Sequence, residues 1–171
     1  MPEGPEVKLF VDKLNNNYIN QTVKKTNILS GRFLKKNLDL SIIENKKVLS
    51  ISCKGKFIWF DFGDIVLFNT LGMTGSWGKS KTKHSRVEFV FTNDSYLYFN
   101  DMRSFGTLNV SDHSSLKKKL RSIGPDMLSD PPNESNFIKI MRNHNDKNIC
   151  KTLMSQNVVS GIGNYIKAES L

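Results

Sequence analysis

The stretch that decides the fold covers residues 49–62 and reads Leu49-Ser50-Ile51-Ser52-Cys53-Lys54-Gly55-Lys56-Phe57-Ile58-Trp59-Phe60-Asp61-Phe62. Apolar residues alternate with serines in its first half, and a period of two is typical of a strand with one buried face. The second half is almost continuously apolar, which indicates a strand buried on both faces. Lys54 and Lys56 flank Gly55 at the mouth of this apolar strand, and alternation places both lysines on the same face.

Strand patterns continue on both sides of this stretch, from Tyr18 to Val110. Val87, Phe89 and Phe91 alternate again, and Asn93-Asp94-Ser95 predicts a hairpin turn before a strand from Tyr96 to Phe99. Short strands at regular spacing with glycine-containing turns are typical of a β-sandwich or a barrel. We therefore predict one of these two architectures for the middle of the chain.

Helices are predicted at both ends of the strand region. Pro5 is a good first helical residue, and an apolar stripe at positions i, i+3, i+4 and i+7 predicts a helix ending near Asn15-Asn16-Asn17; the stripe consists of Val7, Phe10, Val11 and Leu14. Ser111 or Asp112 caps a basic helix over 116–123, which Gly124-Pro125 stops. A boundary is predicted at 129–132, so that residues 1–130 and 131–171 form two domains, and the last helix begins at Gly163-Asn164.

The composition favours a polyanionic partner. The 171 residues carry a net charge of +9 and the pI is near 9.6. Basic clusters occur at Lys24-Lys25, Lys35-Lys36, Lys46-Lys47, 79–86 and 117–121. Such clusters are the electrostatic footprint of nucleic-acid binding. The alternative is that some lysines are only solvated surface in a chain rich in Asn, Lys and Ile.

No metal or cofactor is expected in this chain. Cys53 and Cys150 lie far apart and form no Cys-x-x-Cys pattern, and the three histidines lack ligand spacing with them, so we predict free thiols. No apolar run approaches a membrane span, and the N-terminus lacks the layout of a signal peptide. We expect an intracellular monomer, without choosing between nucleus and cytoplasm.

The N-terminus, Met1-Pro2-Glu3-Gly4-Pro5-Glu6, contains a candidate nucleophile. A small second residue favours removal of Met1, which frees the secondary amine of Pro2. An α-amino group titrates near pH ~8, so part of it is neutral and able to attack at neutral pH. Addition to a sugar aldehyde gives a cationic iminium, from which base displacement and strand scission follow. The alternative is that the N-terminal residues have no catalytic role and that Gly4-Pro5 only starts a helix.

Taken with the segment 156–169, this N-terminus resembles the formamidopyrimidine-DNA glycosylase/endonuclease VIII family. Pro-Glu-Gly-Pro-Glu is similar to the endonuclease VIII branch rather than to the Pro-Glu-Leu-Pro-Glu of the other branch. The match continues in family order through Lys56, Leu71–Gly75, Asn100–Gly106 and Gly124–Asp126, and covers essentially the whole chain. The resemblance implies an α+β fold, in which a two-layer β-sandwich with flanking helices precedes a small helical domain with a helix-two-turns-helix motif.

The resemblance also implies roles for particular residues. Pro2 becomes the nucleophile, Glu3 transfers protons, and Lys56 holds a phosphate next to the lesion. Met73, Arg103 and Phe105 fill the void that the everted base leaves. Gly163 and Asn164, at the start of a helix, bind phosphate. Glu6 has either a direct catalytic role or only the favourable place of an acidic residue at a helix N-terminus.

Each of these residues also has a structural alternative. Lys54 and Lys56 can be surface charge, Met73 and Phe105 can be core, and Arg103 can pair with Asp101. Gly161-x-Gly163 can be an ordinary turn between helices. Ser155 departs from the acidic residue that the family usually has beside this glutamine. Family members continue into a zinc finger or a zincless equivalent, so we expect a chain ending at Leu171 to be a fragment or a truncated product.

The implied function is a bifunctional DNA glycosylase and abasic-site lyase of base excision repair. It would remove oxidised bases, pyrimidines before purines, through a Pro2 Schiff base, and nick the strand by β- or β,δ-elimination. Damaged DNA, duplex or single-stranded, is the expected partner. One rival is a noncatalytic DNA-damage-binding domain. Another is a platform for single-stranded nucleic acid, for which Tyr96 and Tyr98 are the stacking candidates.

Overall fold

The computed structural model describes residues 1–35 and 38–171, so Lys36 of the predicted Lys35-Lys36 cluster lies outside the described residues. The helices are α1 Gly4–Tyr18, α2 His113–Ser122, α3 Glu134–Arg142, α4 Ile149–Met154 and α5 Asn164–Ser170. The strands are β1 Val23–Ile28, β2 Ser50–Lys54, β3 Phe57–Asp61, β4 Val66–Thr70, β5 Gly75–Gly78, β6 Ser85–Phe91, β7 Tyr96–Asp101 and β8 Thr107–Ser111. Two single-turn 3₁₀ helices, Gly31–Leu34 and Ser41–Ile43, lie between β1 and β2.

The strands form two antiparallel four-stranded sheets, with the orders β1-β6-β7-β5 and β2-β3-β4-β8. Their facing surfaces enclose one core whose largest fully buried side chains are aromatic: Phe33, Phe60, Phe89, Phe91 and Phe99. Interdigitated side chains between two aligned sheets are the defining feature of a sandwich. The α+β fold with a two-layer β-sandwich is therefore confirmed.

Strand β3 is buried on both faces, as its apolar sequence predicts. Ile58 and Phe60 point into the core between the sheets, whereas Phe57 packs in a second cluster that contains Leu116 of α2. The alternation predicted before β3 starts two residues later than expected. Leu49 precedes β2 and is exposed, so Ile51 is the first buried residue of this strand.

Helix α1 fixes the N-terminus against the sandwich. Its buried stripe contains Val7, Val11 and Leu14 and extends to Tyr18, so the helix continues through the asparagine run. The carboxamide of Asn15 accepts the Ile51 N–H at 3.0 Å and donates to the Ile51 carbonyl at 2.7 Å. The helix is thus bonded to the backbone of β2, and its first turn has a defined position.

The region after β8 is helical. Asp112 caps α2 by accepting the Ser115 N–H at 2.7 Å, which decides between the two predicted capping residues. Helices α3 to α5 share an apolar cluster whose buried members are Leu153, Val159 and Ile162. Met127 packs against this cluster from the segment before α3. The division into domains at residue 130 stays a prediction.

Candidate active site

Four segments that are distant in sequence meet at one end of the sandwich. The Gly4 N–H donates to the Gly161 carbonyl at 2.8 Å, which ties the start of α1 to the turn before α5. The Gly161 N–H in turn donates to Gln156 Oε1 at 3.0 Å. At the β2–β3 turn, the Gly55 N–H donates to the buried carboxylate of Asp126 at 2.9 Å. These bonds bring the N-terminus and the β2–β3 turn to one place.

Two glycines permit this close assembly. Gly55 has a φ of +57°, and a Cβ there would lie 2.7 Å from the Ser160 Cβ. A Cβ on Gly163 would overlap the side-chain carboxylate of Glu3. Larger residues at either position would force the segments apart, because protein interiors cannot absorb such overlaps.

A cavity of about 220 Å³ opens between these segments. Its lining includes Met1, Pro2, Lys54 and Lys56, together with apolar side chains of α1, β3 and the segment that follows β4. Both lysines reach the same cavity, although Lys56 lies in the β2–β3 turn rather than in a strand. The candidate nucleophile, Pro2, and the candidate phosphate-binding residue, Lys56, therefore line the same cavity.

The two lysines differ in what they bind. Lys54 Nζ donates to the carbonyls of Leu120 and Ile123, at 3.0 and 2.9 Å, and so satisfies carbonyls at the end of α2. Lys56 makes no side-chain hydrogen bond or ion pair within residues 1–35 and 38–171. Burial lowers the pKa of Lys56, while the carboxylates of Glu3 and Glu6 oppose this shift. Of the two, Lys56 has the ammonium that remains available to an anion.

Glu3 is buried, with 3% of its surface exposed, and its carboxylate lies at the N-terminus of α5. Oε1 accepts the Tyr165 N–H at 2.8 Å, and Oε2 accepts the N–H groups of Gly163 and Ile166 at 3.0 and 3.1 Å. Burial raises the pKa of Glu3, but these three bonds and the charge of Lys56 outweigh it, and the pKa lies below its usual value of 4.5. Glu3 is ionised at neutral pH.

Glu6 accepts the Glu3 N–H at 2.6 Å from the first turn of α1. Its side chain is exposed. A first-turn carboxylate that accepts the N–H of the residue before the helix is one half of a capping box. The contact supports the helix N-terminus alternative for Glu6, and gives it a part in positioning Glu3. A direct catalytic role for Glu6 stays a prediction.

The Gly163 N–H is occupied and is not free for a phosphate, so a role for Gly163 in DNA binding stays a prediction. That N–H and those of Tyr165 and Ile166 are already bonded to Glu3. The anion at the positive end of α5 is therefore a carboxylate of the chain itself. Asn164 is exposed at the first position of α5, and its Oδ1 accepts from Lys167 Nζ at 3.2 Å. A role for Asn164 in DNA binding stays a prediction.

The three predicted void-filling residues form one exposed cluster. Arg103 Nη1 lies 3.2 Å from Met73 Sδ, and the guanidinium carbon lies 5.7 Å from the centre of the Phe105 ring. Met73 is 43% exposed and Phe105 55%, so neither is a core residue. Asp101, the alternative partner of Arg103, instead accepts from Thr74 Oγ1 at 2.6 Å and from the Gly106 N–H at 2.7 Å.

Sequence reasoning missed Lys119 as a neighbour of the cavity. Lys119 lines it, with Nζ 5.6 Å from the centre of the Phe57 ring. The available signal was its position three residues after Leu116, which places both on one face of α2.

The predicted stacking platform for single-stranded nucleic acid offers little exposed aromatic surface. Tyr96 and Tyr98 are nearly parallel, with centroids 6.1 Å apart, but Tyr98 is only 7% exposed and offers little surface to a base.

Neither a metal site nor a membrane-spanning helix is found within the described ranges. Residues 1–35 and 38–171 contain no group of three or more His, Cys, Asp or Glu side chains arranged to hold a metal ion. In the same part of the chain, no helix is long and apolar enough to cross a membrane. Cys53 and Cys150 are partly buried free thiols, and burial raises the pKa of Cys53 to about 11.

Comparison with known proteins identifies the family. Residues 1–108 match the formamidopyrimidine-DNA glycosylase N-terminal domain. The chain belongs to the formamidopyrimidine-DNA glycosylase family. It is 31% identical to the formamidopyrimidine-DNA glycosylase of Oceanobacillus iheyensis and 32% identical to that of Lactobacillus johnsonii. Both matches cover the whole of this chain and 65% of the relative, so the chain spans about two thirds of the length of these glycosylases.

Solved structures of this glycosylase family have the same fold. MutM (Fpg) of Thermus thermophilus matches with a TM-score of 0.83 and 26% identity, over 99% of this chain and 63% of that one. Lactococcus lactis Fpg, in a complex with DNA that contains an abasic site, matches with a TM-score of 0.78 and 25% identity, over 96% and 64% of the two chains. The assignment to the endonuclease VIII branch stays a prediction.

Proposed function

We propose that this chain acts on damaged DNA as a glycosylase and abasic-site lyase, with Pro2 as its nucleophile after removal of Met1. The observation that carries the proposal is the shared cavity of Pro2 and Lys56. A nucleophilic amine and an available ammonium within one cavity suit attack on a sugar whose phosphate is held nearby. The DNA-bound state of a solved family member supports damaged DNA as the partner.

The chemistry begins with the neutral Pro2 amine. Its lone pair forms a bond to C1′ of the lesion nucleotide, and the glycosidic bond breaks. The base leaves with the electron pair of the broken glycosidic bond and takes up a proton. Opening of the sugar ring gives a cationic iminium, which acidifies the C2′ proton. Loss of this proton expels the 3′ phosphate by β-elimination, and a second elimination expels the 5′ phosphate.

Glu3 is assigned the proton transfers, starting from its ionised form. Since the pKa of Glu3 is lowered, the carboxylate first acts as a base. It gains a proton, for example from the ammonium form of Pro2, before it protonates the sugar ring oxygen. The bonds from α5 fix the carboxylate of Glu3, the residue that directly follows Pro2 in the sequence.

Lys56 is assigned to a phosphate beside the lesion, because its ammonium acts as a point charge without a partner in the described residues. The cluster of Met73, Arg103 and Phe105 is assigned to the gap that an everted base leaves in a duplex. Oxidised bases are the proposed lesions, pyrimidines before purines, as the endonuclease VIII-like start of the chain favours. The proposal uses a monomer and no cofactor.

Borohydride trapping on DNA with an abasic site tests the nucleophile. Reduction of the iminium should give a covalent adduct, and the modified peptide should begin at Pro2. A protein preparation that retains Met1 is the matched control, since its Pro2 nitrogen is part of a peptide bond and forms no adduct. An adduct on Lys54, Lys56 or Lys119 with Pro2 unmodified would show that the nucleophile is misassigned.

A noncatalytic DNA-damage-binding domain is the second candidate. Met1 lines the same cavity as Pro2, so a chain that retains Met1 has both a blocked amine and a partly filled cavity. Such a chain would keep its basic surface and its exposed cluster of Met73, Arg103 and Phe105. The mass of the intact protein, measured beside its excision activity, separates the two candidates.

A further inference from the structure

The loop that carries Arg103 and Phe105 is held through its backbone by two other arginines. Arg86 of β6 donates from Nε to the Asp101 carbonyl at 2.7 Å and from Nη2 to the Met102 carbonyl at 3.2 Å. Arg32 of the first 3₁₀ helix donates from Nη2 to the Gly106 carbonyl and, at 3.5 Å, to that of Phe105. The two guanidinium groups therefore hold both ends of the segment 101–106, which we call the wedge loop.

We propose that Arg32 and Arg86 are positioning residues that aim the wedge loop at the duplex, an inference that rests on the proposed function. Neither arginine needs to touch DNA for this role. Each acts through the loop backbone and so fixes the direction in which Arg103 and Phe105 project. A side chain that must enter a base stack works only from a defined position, because small displacements misalign it.

The geometry of Arg86 requires a guanidinium rather than a simple positive charge. Three of its nitrogens serve three acceptors, since Nη1 also donates to Ser30 Oγ at 3.0 Å. A planar fork of donors can bind three fixed acceptors at once, whereas a lysine ammonium presents one centre. Gly31 leaves room for this side chain, because a Cβ there would lie 3.1 Å from Arg86 Cδ.

The wedge loop also contains a strained residue that needs external support. Ser104 has a φ of 57°, in the left-handed region that non-glycine residues seldom occupy. Such conformations persist only where the surroundings hold them. Thr74 Oγ1, which lies outside the loop, accepts the Arg103 N–H at 3.0 Å, and within the loop Asp101 accepts the Gly106 N–H. The two arginines hold the outer ends, where relaxation would otherwise begin.

The test uses Arg86→Lys, Arg86→Ala and Arg32→Lys in the whole chain, with Arg142→Lys as the matched control. Arg142 is exposed on α3 and distant in sequence from the wedge loop. A duplex with a tetrahydrofuran abasic analogue opposite 2-aminopurine reports insertion, because an unstacked 2-aminopurine fluoresces more strongly. Excision of an oxidised base is measured on a duplex and on a single strand, and thermal melting checks folding.

Arg86→Lys and Arg32→Lys should reduce the fluorescence rise and lower excision from the duplex, on the order of 10- to 100-fold. Excision from a single strand should stay within about twofold, because a single strand has no base stack to refill. Affinity for undamaged duplex should also stay within about twofold, because lysine retains the positive charge. Arg142→Lys should match the unsubstituted protein in every measurement. If Arg86→Ala melts below the assay temperature, the two lysine variants decide.

Equal losses on duplex and single strand would overturn the inference, and so would full duplex activity of both lysine variants. A protein that binds the analogue duplex with no rise in fluorescence would overturn it together with the void-filling role. A protein that gives the full rise but no excision would refute the proposed chemistry alone. In that case, loss of the rise in the lysine variants still supports the positioning role.

Discussion

Replacing Glu3 by glutamine should destabilise the protein as well as stop base excision. The carboxylate accepts three backbone N–H groups with two oxygens, and a carboxamide has only one oxygen. If the amide oxygen keeps the bonds to Gly163 and Ile166, the NH₂ group faces the Tyr165 N–H, donor against donor. The opposite rotamer loses two bonds, so at least one bond from this helix start is always lost.

The expected loss follows from these contacts. A hydrogen bond to a charged group contributes about 1.5–3 kcal/mol, and a negative charge at a helix N-terminus adds roughly 0.3–1 kcal/mol. Glu3→Gln should therefore lower the free energy of unfolding by about 2–4 kcal/mol at pH 7. Urea denaturation followed by circular dichroism measures this difference. Glu6→Gln, which changes an exposed carboxylate with one N–H partner, is the matched control and should lose less.

The loss should also depend on pH with a defined sign. The pKa of Glu3 is lowered in the folded protein, so its ionised form contributes stability that is fully present above the unfolded pKa of about 4.5. This contribution disappears as the pH falls through the folded pKa. The difference in stability between the unsubstituted protein and Glu3→Gln should thus be constant from pH 7 to 6 and shrink below pH 4.5. Equal stabilities at pH 7, or a difference unchanged down to pH 3, would refute the reasoning.

Two further predictions concern DNA binding and the exposed cluster. Lys56→Ala should weaken binding to an abasic duplex and reduce the slope of log K against log salt by about 0.9, because one phosphate contact is lost. Lys54→Ala, which removes two hydrogen bonds to the end of α2, should lower stability more than it changes this slope. An unchanged slope in Lys56→Ala would contradict the phosphate assignment. Phe105→Ala should reduce duplex excision while melting stays nearly unchanged, whereas the buried Phe99→Ala should cost ~3–5 kcal/mol of stability. A melting loss for Phe105→Ala as large as for Phe99→Ala would instead make Phe105 a core residue.

The sequence predicts those features that depend on local spacing. The buried stripe of α1 and the doubly buried β3 follow from periods of 3.6 and two, because each period fixes which side chains face the core. The capping of α2 by Asp112 likewise depends on residues only three positions apart. Met73, Arg103 and Phe105 came from the family resemblance, and the structure brings them into contact.

The features that the sequence did not predict depend on distant contacts. No local pattern indicates that the N–H groups at the start of α5 are used by Glu3, because the partners are 160 or more positions apart. The difference between Lys54 and Lys56 depends on where α2 ends relative to the β2–β3 turn. Arg86 was counted only as part of the basic cluster 79–86 and Arg32 was not singled out, since carbonyl acceptors in a folded loop leave no trace in the sequence.

The long separation between Glu3 and its partners in α5 also sets an order of events during synthesis. Chains emerge N-terminus first at roughly 5–20 residues per second, so Glu3 precedes Ile166 by roughly 8–30 s. Until Gln156 has emerged, the cavity lacks at least one of the residues that line it, and the first residues stay open to processing. Removal of Met1, which the proposed chemistry requires, therefore has its best opportunity on the ribosome. The proposed nucleophile is thus made first, and the Glu3 carboxylate reaches its partners in α5 last.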